Sequence, residues 1–96
     1  MAVVLADLLD EEHAVLELTA SSRDEALREI VATMQLSEPE AFLRELIARE
    51  EVQSTFMSDG VAFPHARTDL VERIALGIGR SAAGVSFGPD DRARLI

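Results

Sequence analysis

The hydrophobic positions repeat with two different periods along the first half of the chain, and each period predicts a different element. Between residues 13 and 19 apolar and polar side chains alternate, which is typical of a half-buried strand. After residue 20 the spacing lengthens to that of an amphipathic helix, and Ser22 with Glu25 has the pattern of a capping box at its start. The apolar stripe of this helix consists of Leu27, Ile30, Val31 and Met34.

A second amphipathic helix comes within a few residues. Ser37 and Glu40 again have capping-box spacing, and Pro39 falls in the first turn, where its missing N–H costs little. The apolar stripe of the second helix consists of Phe42, Leu43, Leu46 and Ile47. Because only a short turn separates the two helices, we expect them to pack against each other as an αα-hairpin.

The second half of the chain predicts loops and strands. Residues 54–67 are rich in Ser, Thr, Asp, Gly and Pro, which indicates a loop with short extended pieces. Residues 72–80 and 83–88 each have the pattern of a strand, and the small residues Gly77 and Gly79 allow a helix or a backbone to approach closely. The last residues, from 92 to 96, are expected to begin a further extended segment, which either adds a strand to the edge of the sheet or lacks a part that would cover it.

These elements together predict an α/β fold, with α+β as the alternative, in which a mixed sheet is flanked by the capped helix pair. With 96 residues and no linker or repeat, residues 1–96 are expected to form one domain. The opening residues 3–9 are expected to form a short helix or an extended arm.

Charge and composition exclude several classes of function. The formal net charge of −9 disfavours a nucleic-acid binder and a protein that docks on an anionic membrane, and it is compatible with a basic protein partner. No cysteine or lysine is present, which excludes thiolate chemistry and a Schiff base. No apolar run is long enough to span a bilayer, and no secretory signal pattern opens the chain, so we expect a cytoplasmic protein. No cofactor or metal is expected.

His65 is the residue best placed for chemistry. Pro64 before it has a fixed φ, and Gly60 lets another part of the chain approach this segment closely. The backbone that carries the imidazole is therefore expected to be rigid. Arg67 and Arg49 are nearby in the sequence and could bind the oxygens of a phosphoryl group that the ring attacks. On these residues alone, two interpretations stay open: a phosphorylated nucleophile, and an ordinary histidine in a turn, which is the commoner case.

A wider combination of motifs resembles a known family. Leu8–Leu9, Arg49–Glu50, Ser54–Thr55 and the segment "GVAFPH" ending at His65 occur in the order typical of phosphotransferase-system enzyme IIA domains of the fructose–mannitol type, which include the nitrogen-regulatory branch. The later "GRSAAGVSFG" is similar to the same family. The resemblance implies a fold like that of the phosphotransferase and anion-transport proteins.

The resemblance also implies roles for individual residues. His65 would be phosphorylated by the phosphocarrier HPr or its equivalent and would pass the group to an enzyme IIB. Arg49 would steady the phosphorylated ring, Thr55 would order the loop beside it, and the position of Arg67 is more variable in the family. The protein would then be a phosphotransferase component in sugar transport or nitrogen regulation.

The family domains continue past Ile96, and their further part includes a second histidine in a His-Leu context. We therefore expect this chain to correspond to the N-terminal two-thirds of the family domain, with a sheet and a site that are incomplete at the C-terminus. Two alternatives arise. One is a catalytically impaired regulatory module that binds a transporter or kinase, and the other is a domain that associates with a second copy through its C-terminal edge. The residues do not identify the sugar.

Overall fold

The computed structural model describes residues 10–71 and 74–96, in which a five-stranded mixed sheet packs with two helices. This arrangement confirms the predicted α/β class. The arm predicted for residues 3–9 and the first two residues of the strand predicted at 72–80 lie outside the described residues. The strands are β1 (Ala14–Val15), β2 (Phe56–Met57), β3 (Val61–Ala62), β4 (Ile78–Gly88) and β5 (Asp91–Leu95), and the helices are α1 (Arg23–Thr33) and α2 (Pro39–Val52).

The strands lie in the order β1-β4-β5-β3-β2. β4 is parallel to β1 and antiparallel to β5, while β3 is parallel to β5 and antiparallel to β2. Backbone hydrogen bonds in both directions between Gly79 and Ile96, at 3.0 and 2.9 Å, continue the β4–β5 pairing to the last residue. The prediction of an edge strand at the C-terminus was wrong, because β5 has a neighbouring strand on each side.

β4 is one strand where the sequence predicted two, separated by residues 81–82, and it begins at Ile78, so that residues 74–77 of the first predicted strand lie outside it. Between the β4 residues Arg80 and Val85, which pair with β5 two residues apart, β4 takes five residue steps and therefore bulges. Gly84 has a φ of 91° within this bulge, and its N–H donates to the Ser81 hydroxyl at 3.0 Å. Residues 81–82, which separated the two predicted strands, thus lie in a bulge inside a single strand.

β1 is much shorter than the strand predicted over residues 13–19. His13 belongs to a 3-10 turn, Glu11–His13, in which the Asp10 carboxylate accepts the N–H of Glu12 at 2.9 Å. After β1 the chain bends, and Leu16 is exposed although the alternation predicted it to be buried. The alternating pattern therefore continues beyond the segment that pairs with the sheet.

The helices agree well with the predicted periods, and their caps less well. Ser22 is the N-cap of α1, but its side chain makes no capping bond, and its backbone instead bridges to Ser86 in β4. Glu38, not the predicted Ser37, precedes the first residue of α2, which is Pro39, and again no side chain caps the helix. The predicted capping boxes were wrong in this respect.

The core lies between the two helices and the sheet. α1 packs closely on β4, since a Cβ at Gly79 would come within 2.6 Å of the Ile30 Cδ1. The buried cluster shared by the helices contains Leu27, Val31, Phe42, Leu43 and Leu46, all of them on the predicted stripes. Within the described residues, no helix has the length and apolar character needed to cross a bilayer.

Candidate functional site

The candidate site is built from one continuous segment, from the last turn of α2 to the residue after Pro64. β2 and β3 form a short hairpin in this segment, connected by the 3-10 turn Ser58–Gly60. Asp59 and Gly60 adopt positive φ values of 69° and 76°, which turn the chain back sharply enough for the two strands to pair. The hairpin brings Phe63 beside Thr55 and delivers the Phe63–His65 segment to the surface.

Glu50 is the anchor of this segment. It lies in the last turn of α2 and is 2% exposed, although its side chain carries a carboxylate. The carboxylate accepts three hydrogen bonds: from the Thr55 N–H at 2.7 Å, from the Thr55 hydroxyl at 2.8 Å and from the Ser54 hydroxyl at 3.1 Å. A buried carboxylate is tolerated where donors satisfy it, so Glu50 fastens the start of the loop to the helix.

Thr55 extends this network towards the histidine. Its hydroxyl donates to Glu50, and the same oxygen accepts the Phe63 N–H at 3.2 Å. One side chain thereby connects the two sides of the hairpin, which are eight residues apart in the sequence. This contact supports the expected role of Thr55 in ordering the loop.

The His65 ring is exposed, and one of its nitrogens is held. Nδ1 lies 2.9 Å from the carbonyl oxygen of Phe63, which can only accept, so Nδ1 carries the proton in this contact. In the neutral ring Nε2 then keeps a free lone pair. The Phe63 ring, itself 58% exposed, lies beside the imidazole with 6.0 Å between the ring centroids. The site therefore presents a nucleophilic nitrogen at the surface next to an aromatic side chain.

The two arginines predicted near His65 lie in different surroundings. Arg49 is half-buried in the last turn of α2, and its guanidinium donates to the Gln53 carbonyl at 3.1 Å, which is at the start of the loop. Arg67 is exposed and lines the same groove as His65. The ion pairs formed among the described residues involve neither arginine. Among residues 10–71 and 74–96, no carboxylate therefore occupies either guanidinium group.

An open apolar groove of about 910 Å³ lies beside the histidine. Its walls come from the inner faces of α1 and α2, from Val61 and residues 63–68, and from residues 74–78, which lead into β4. Leu95 and Ile96 also line it. Ile74 on its wall is 60% exposed. Within residues 10–71 and 74–96, no cluster of three His, Asp or Glu side chains is positioned to hold a metal ion.

Glu50 is the functional candidate that sequence reasoning did not assign. The motif "RE" contained it, but only Arg49 received a role. A signal was present, because Glu50 falls seven residues after Leu43 and four after Leu46, and so continues the apolar stripe of α2. A carboxylate on a buried stripe, with two hydroxyl residues shortly after it, predicts a helix end that holds a loop.

The comparisons with known proteins agree with one another. The family model described as "Phosphoenolpyruvate-dependent sugar phosphotransferase system, EIIA 2" matches residues 7–96. The fructose-specific EIIABC component of the phosphotransferase system from Bacillus subtilis (strain 168) is 28% identical over 87 residues, which are 86% of this chain and 14% of that protein.

Two solved structures are similar over almost the whole chain. The nitrogen regulatory protein IIA-Ntr from Neisseria meningitidis has a TM-score of 0.83 and 28% identity, covering 96% of this chain and 66% of that one. The complex of enzyme IIAMTL with phosphorylated enzyme IIBMTL from Escherichia coli gives a TM-score of 0.78 and 27% identity, covering 91% of this chain and 65% of the other. The chain thus spans about two-thirds of these solved relatives and a small part of the multidomain one.

Proposed function

The chain belongs to the EIIA type 2 family of the phosphoenolpyruvate-dependent sugar phosphotransferase system, and from this premise we propose that it is a phosphocarrier whose His65 accepts and releases a phosphoryl group. The observation that carries the proposal is the imidazole itself. It is exposed on a proline-stiffened segment, and its Nδ1 is committed to the Phe63 carbonyl at 2.9 Å. Nε2 is therefore the nitrogen that attacks.

The transfer step balances without a further reactant. The Nε2 lone pair attacks the phosphorus of a phosphohistidine donor, a new P–N bond forms, and the old P–N bond breaks with its electron pair returning to the donor ring. The His65 ring is cationic when phosphorylated on Nε2 with Nδ1 still protonated. The hydrogen bond from Nδ1–H to Phe63 then becomes charge-assisted and stabilises this state. On release, a nucleophilic side chain of the acceptor protein attacks the phosphorus, and the P–N bond to His65 breaks with its electron pair returning to Nε2.

Arg49, Thr55 and Arg67 are proposed to support this transfer in different ways. Phosphoryl transfer needs positioning and charge stabilisation more than covalent chemistry, and guanidinium groups match phosphoryl oxygens well. Arg49 is proposed to contribute its charge from the end of α2, and Arg67 from the groove. Thr55 is proposed to hold the Phe63 backbone through its hydroxyl.

The proposed donor is a small phosphocarrier of the HPr type, and the proposed acceptor is an enzyme IIB or a regulated transporter or kinase. The solved complex between enzyme IIAMTL and phosphorylated enzyme IIBMTL supports an acceptor of the IIB kind, and the likeness to a nitrogen regulatory IIA supports a regulatory target. These partners would place the protein in the cytoplasm. The exposed Phe63 beside His65 suits a protein surface better than a sugar.

The proposal is tested by labelling. Incubation with phosphoenolpyruvate, enzyme I and HPr is expected to add one phosphoryl group, detected by intact mass, which is lost in acid. His65→Ala should abolish the gain, while His13→Ala, which changes the other histidine of the chain, should leave it unchanged. An unmodified wild type, under conditions that label an intact family member, would show that this chain is not a phosphocarrier.

A second candidate is a regulatory module that binds its target without phosphotransfer. The open apolar groove of about 910 Å³ beside His65 favours it, because exposed apolar surface of that kind is typical of binding sites. Capture of a transporter or kinase that is equally strong for wild type and His65→Ala would support this function. Self-association through the C-terminal strand is less favoured, since β5 has a strand on each side, and a clean monomer in sedimentation would argue against it.

A further inference from the structure

We propose that Glu50 is a positioning residue for His65, and that it acts through Thr55 and Phe63 to keep the reactive imidazole in the tautomer with the proton on Nδ1. The inference rests on the proposed phosphotransfer at His65 and assigns the control of that nitrogen to a residue that does not touch the ring. Four hydrogen-bonded residues, from α2 to the surface, carry the effect.

The first step is the direction of the bond between Glu50 and Thr55. A carboxylate has only acceptor oxygens, so the Thr55 hydroxyl must donate its single proton to Glu50, at 2.8 Å. The other Glu50 oxygen is occupied by the Thr55 N–H and the Ser54 hydroxyl, at 2.7 and 3.1 Å. Glu50 is 2% exposed, so water does not compete for these positions. The hydroxyl of Thr55 is therefore fixed in one orientation.

The second step is the link from Thr55 to Phe63. With its proton given to Glu50, the Thr55 oxygen presents lone pairs on its other side, and the Phe63 N–H donates to it at 3.2 Å. This bond fixes the Phe63 backbone at its nitrogen. Pro64 restricts it from the other side, because a residue before proline is confined to extended conformations. The carbonyl of Phe63 is thereby held in a set direction.

The third step is the effect on the ring. The Phe63 carbonyl accepts from Nδ1 at 2.9 Å, and an acceptor in this place favours the Nδ1–H tautomer over the Nε2–H tautomer. If the carbonyl turned away, the ring would lose this preference, and the fraction of molecules with a free Nε2 would fall. Glu50 thus influences the nucleophile through the directions of three successive bonds and not through its charge on the ring.

The test variants are chosen to interrupt these steps one at a time. Glu50→Gln keeps the shape but places an NH2 group where one carboxylate oxygen accepted, and Thr55→Val removes the hydroxyl from a half-buried side chain at nearly constant volume. Thr55→Ser is the conservative rescue, because it keeps the hydroxyl. Glu51→Gln is the matched control, since it makes the same chemical change at the next residue, which is exposed.

The readout is the ring ¹⁵N chemical shifts of His65 in the unphosphorylated protein, at a pH where the ring is neutral. Wild type, Thr55→Ser and Glu51→Gln are expected to show the Nδ1–H tautomer in excess. Glu50→Gln and Thr55→Val are expected to shift the population towards Nε2–H and to slow phosphorylation by HPr about tenfold, with KM for HPr little changed. The double variant should be no worse than the more impaired single variant, because both act along one path.

Two results would overturn the inference. One is a wild-type tautomer ratio in Glu50→Gln and Thr55→Val proteins that are folded by circular dichroism, which would make Glu50 a structural anchor only. The other is additive loss in the double variant. Because the tautomer is measured without any phosphoryl donor, a wild type that cannot be phosphorylated overturns the proposed function separately.

Discussion

Glu29 on α1 and Glu50 on α2 hold their neighbouring loops in nearly the same way. Glu29 accepts the N–H and the hydroxyl of Thr19, at 3.1 and 3.0 Å, and the N–H of Ala20 at 2.6 Å. Glu50 accepts the N–H and the hydroxyl of Thr55 and a further hydroxyl. In each case one carboxylate gathers the donors of a threonine and its neighbour and ties a loop to a helix.

The two carboxylates differ in their burial and in the further contacts of the threonine that each one holds. Glu29 is half-buried and Glu50 is buried. The Thr55 oxygen accepts the Phe63 N–H and so continues towards His65, whereas among the described residues the Thr19 hydroxyl bonds to Glu29 alone. A carboxylate clamp, in which a carboxylate ties a threonine-containing loop to a helix, therefore occurs twice among the described residues, and only the one at Glu50 is connected by hydrogen bonds to the candidate site.

The largest expected effect is the loss of folding stability when the Glu50 carboxylate is removed. Glu50→Ala removes a buried carboxylate and leaves one N–H and two hydroxyls, in partly buried surroundings, without that partner, and we expect it to lower the free energy of unfolding by about 3 kcal/mol. Urea denaturation at neutral pH measures this. A loss as small as that of an exposed control, Glu51→Ala, would mean that water replaces the carboxylate at no cost.

A smaller loss is expected at the other clamp. Glu29→Ala exposes its donors to solvent at a half-buried position, so the free energy of unfolding should fall by about 1 kcal/mol. The same variant should keep the wild-type tautomer of His65 and its wild-type rate of phosphorylation, because among the described residues no hydrogen bond connects Thr19 to the ring. An altered tautomer in Glu29→Ala would remove the distinction between the clamps.

The smallest expected effect is on the way folding stability changes with pH. Partial burial opposes ionisation of Glu29, but the hydrogen bonds from Thr19 and Ala20 outweigh it and lower the pKa of this carboxyl below its ordinary value. The clamp is therefore fully stabilising above the ordinary carboxyl pKa, ~4.3, and its contribution is lost as the pH falls through the lower folded-state pKa. Glu29→Gln should flatten the acid side of the stability profile, measured by thermal unfolding between neutral and acid pH. A profile as steep as that of wild type would contradict this assignment.

The elements that depend on local periodicity were predictable from the sequence. The two apolar stripes identified the helices and the core cluster, since a buried face recurs every three to four residues. β4 was not predictable as one strand, because the bulge between Arg80 and Val85 is defined by the pairing with β5, which no local pattern of apolar residues encodes. The open edge expected at the C-terminus was wrong for the same reason, as sheet order depends on contacts distant in sequence.

The candidate site, like the fold, has some parts that the sequence predicts and others that it does not. Pro64 and His65 were identifiable because a proline restricts the backbone conformation of itself and of the residue before it, which is a local effect. The contact between Thr55 and Phe63 depends on how a hairpin closes over eight residues, and no periodic pattern encodes that distance. Glu50 was missed because its partners are defined by this closure, although its place on the apolar stripe of α2 was visible.

The hydrogen bonds that connect Glu50 to His65 join residues that are close together in the sequence. Each bond joins residues separated by two, four, five or eight positions, all between residues 50 and 65. Such contacts have low contact order and close quickly, because little loop entropy is lost when they form. The hydrogen bonds that hold His65 can therefore form as soon as the last turn of α2 and the β2–β3 hairpin are in place, before Val61 pairs with Leu95 of the distant strand β5.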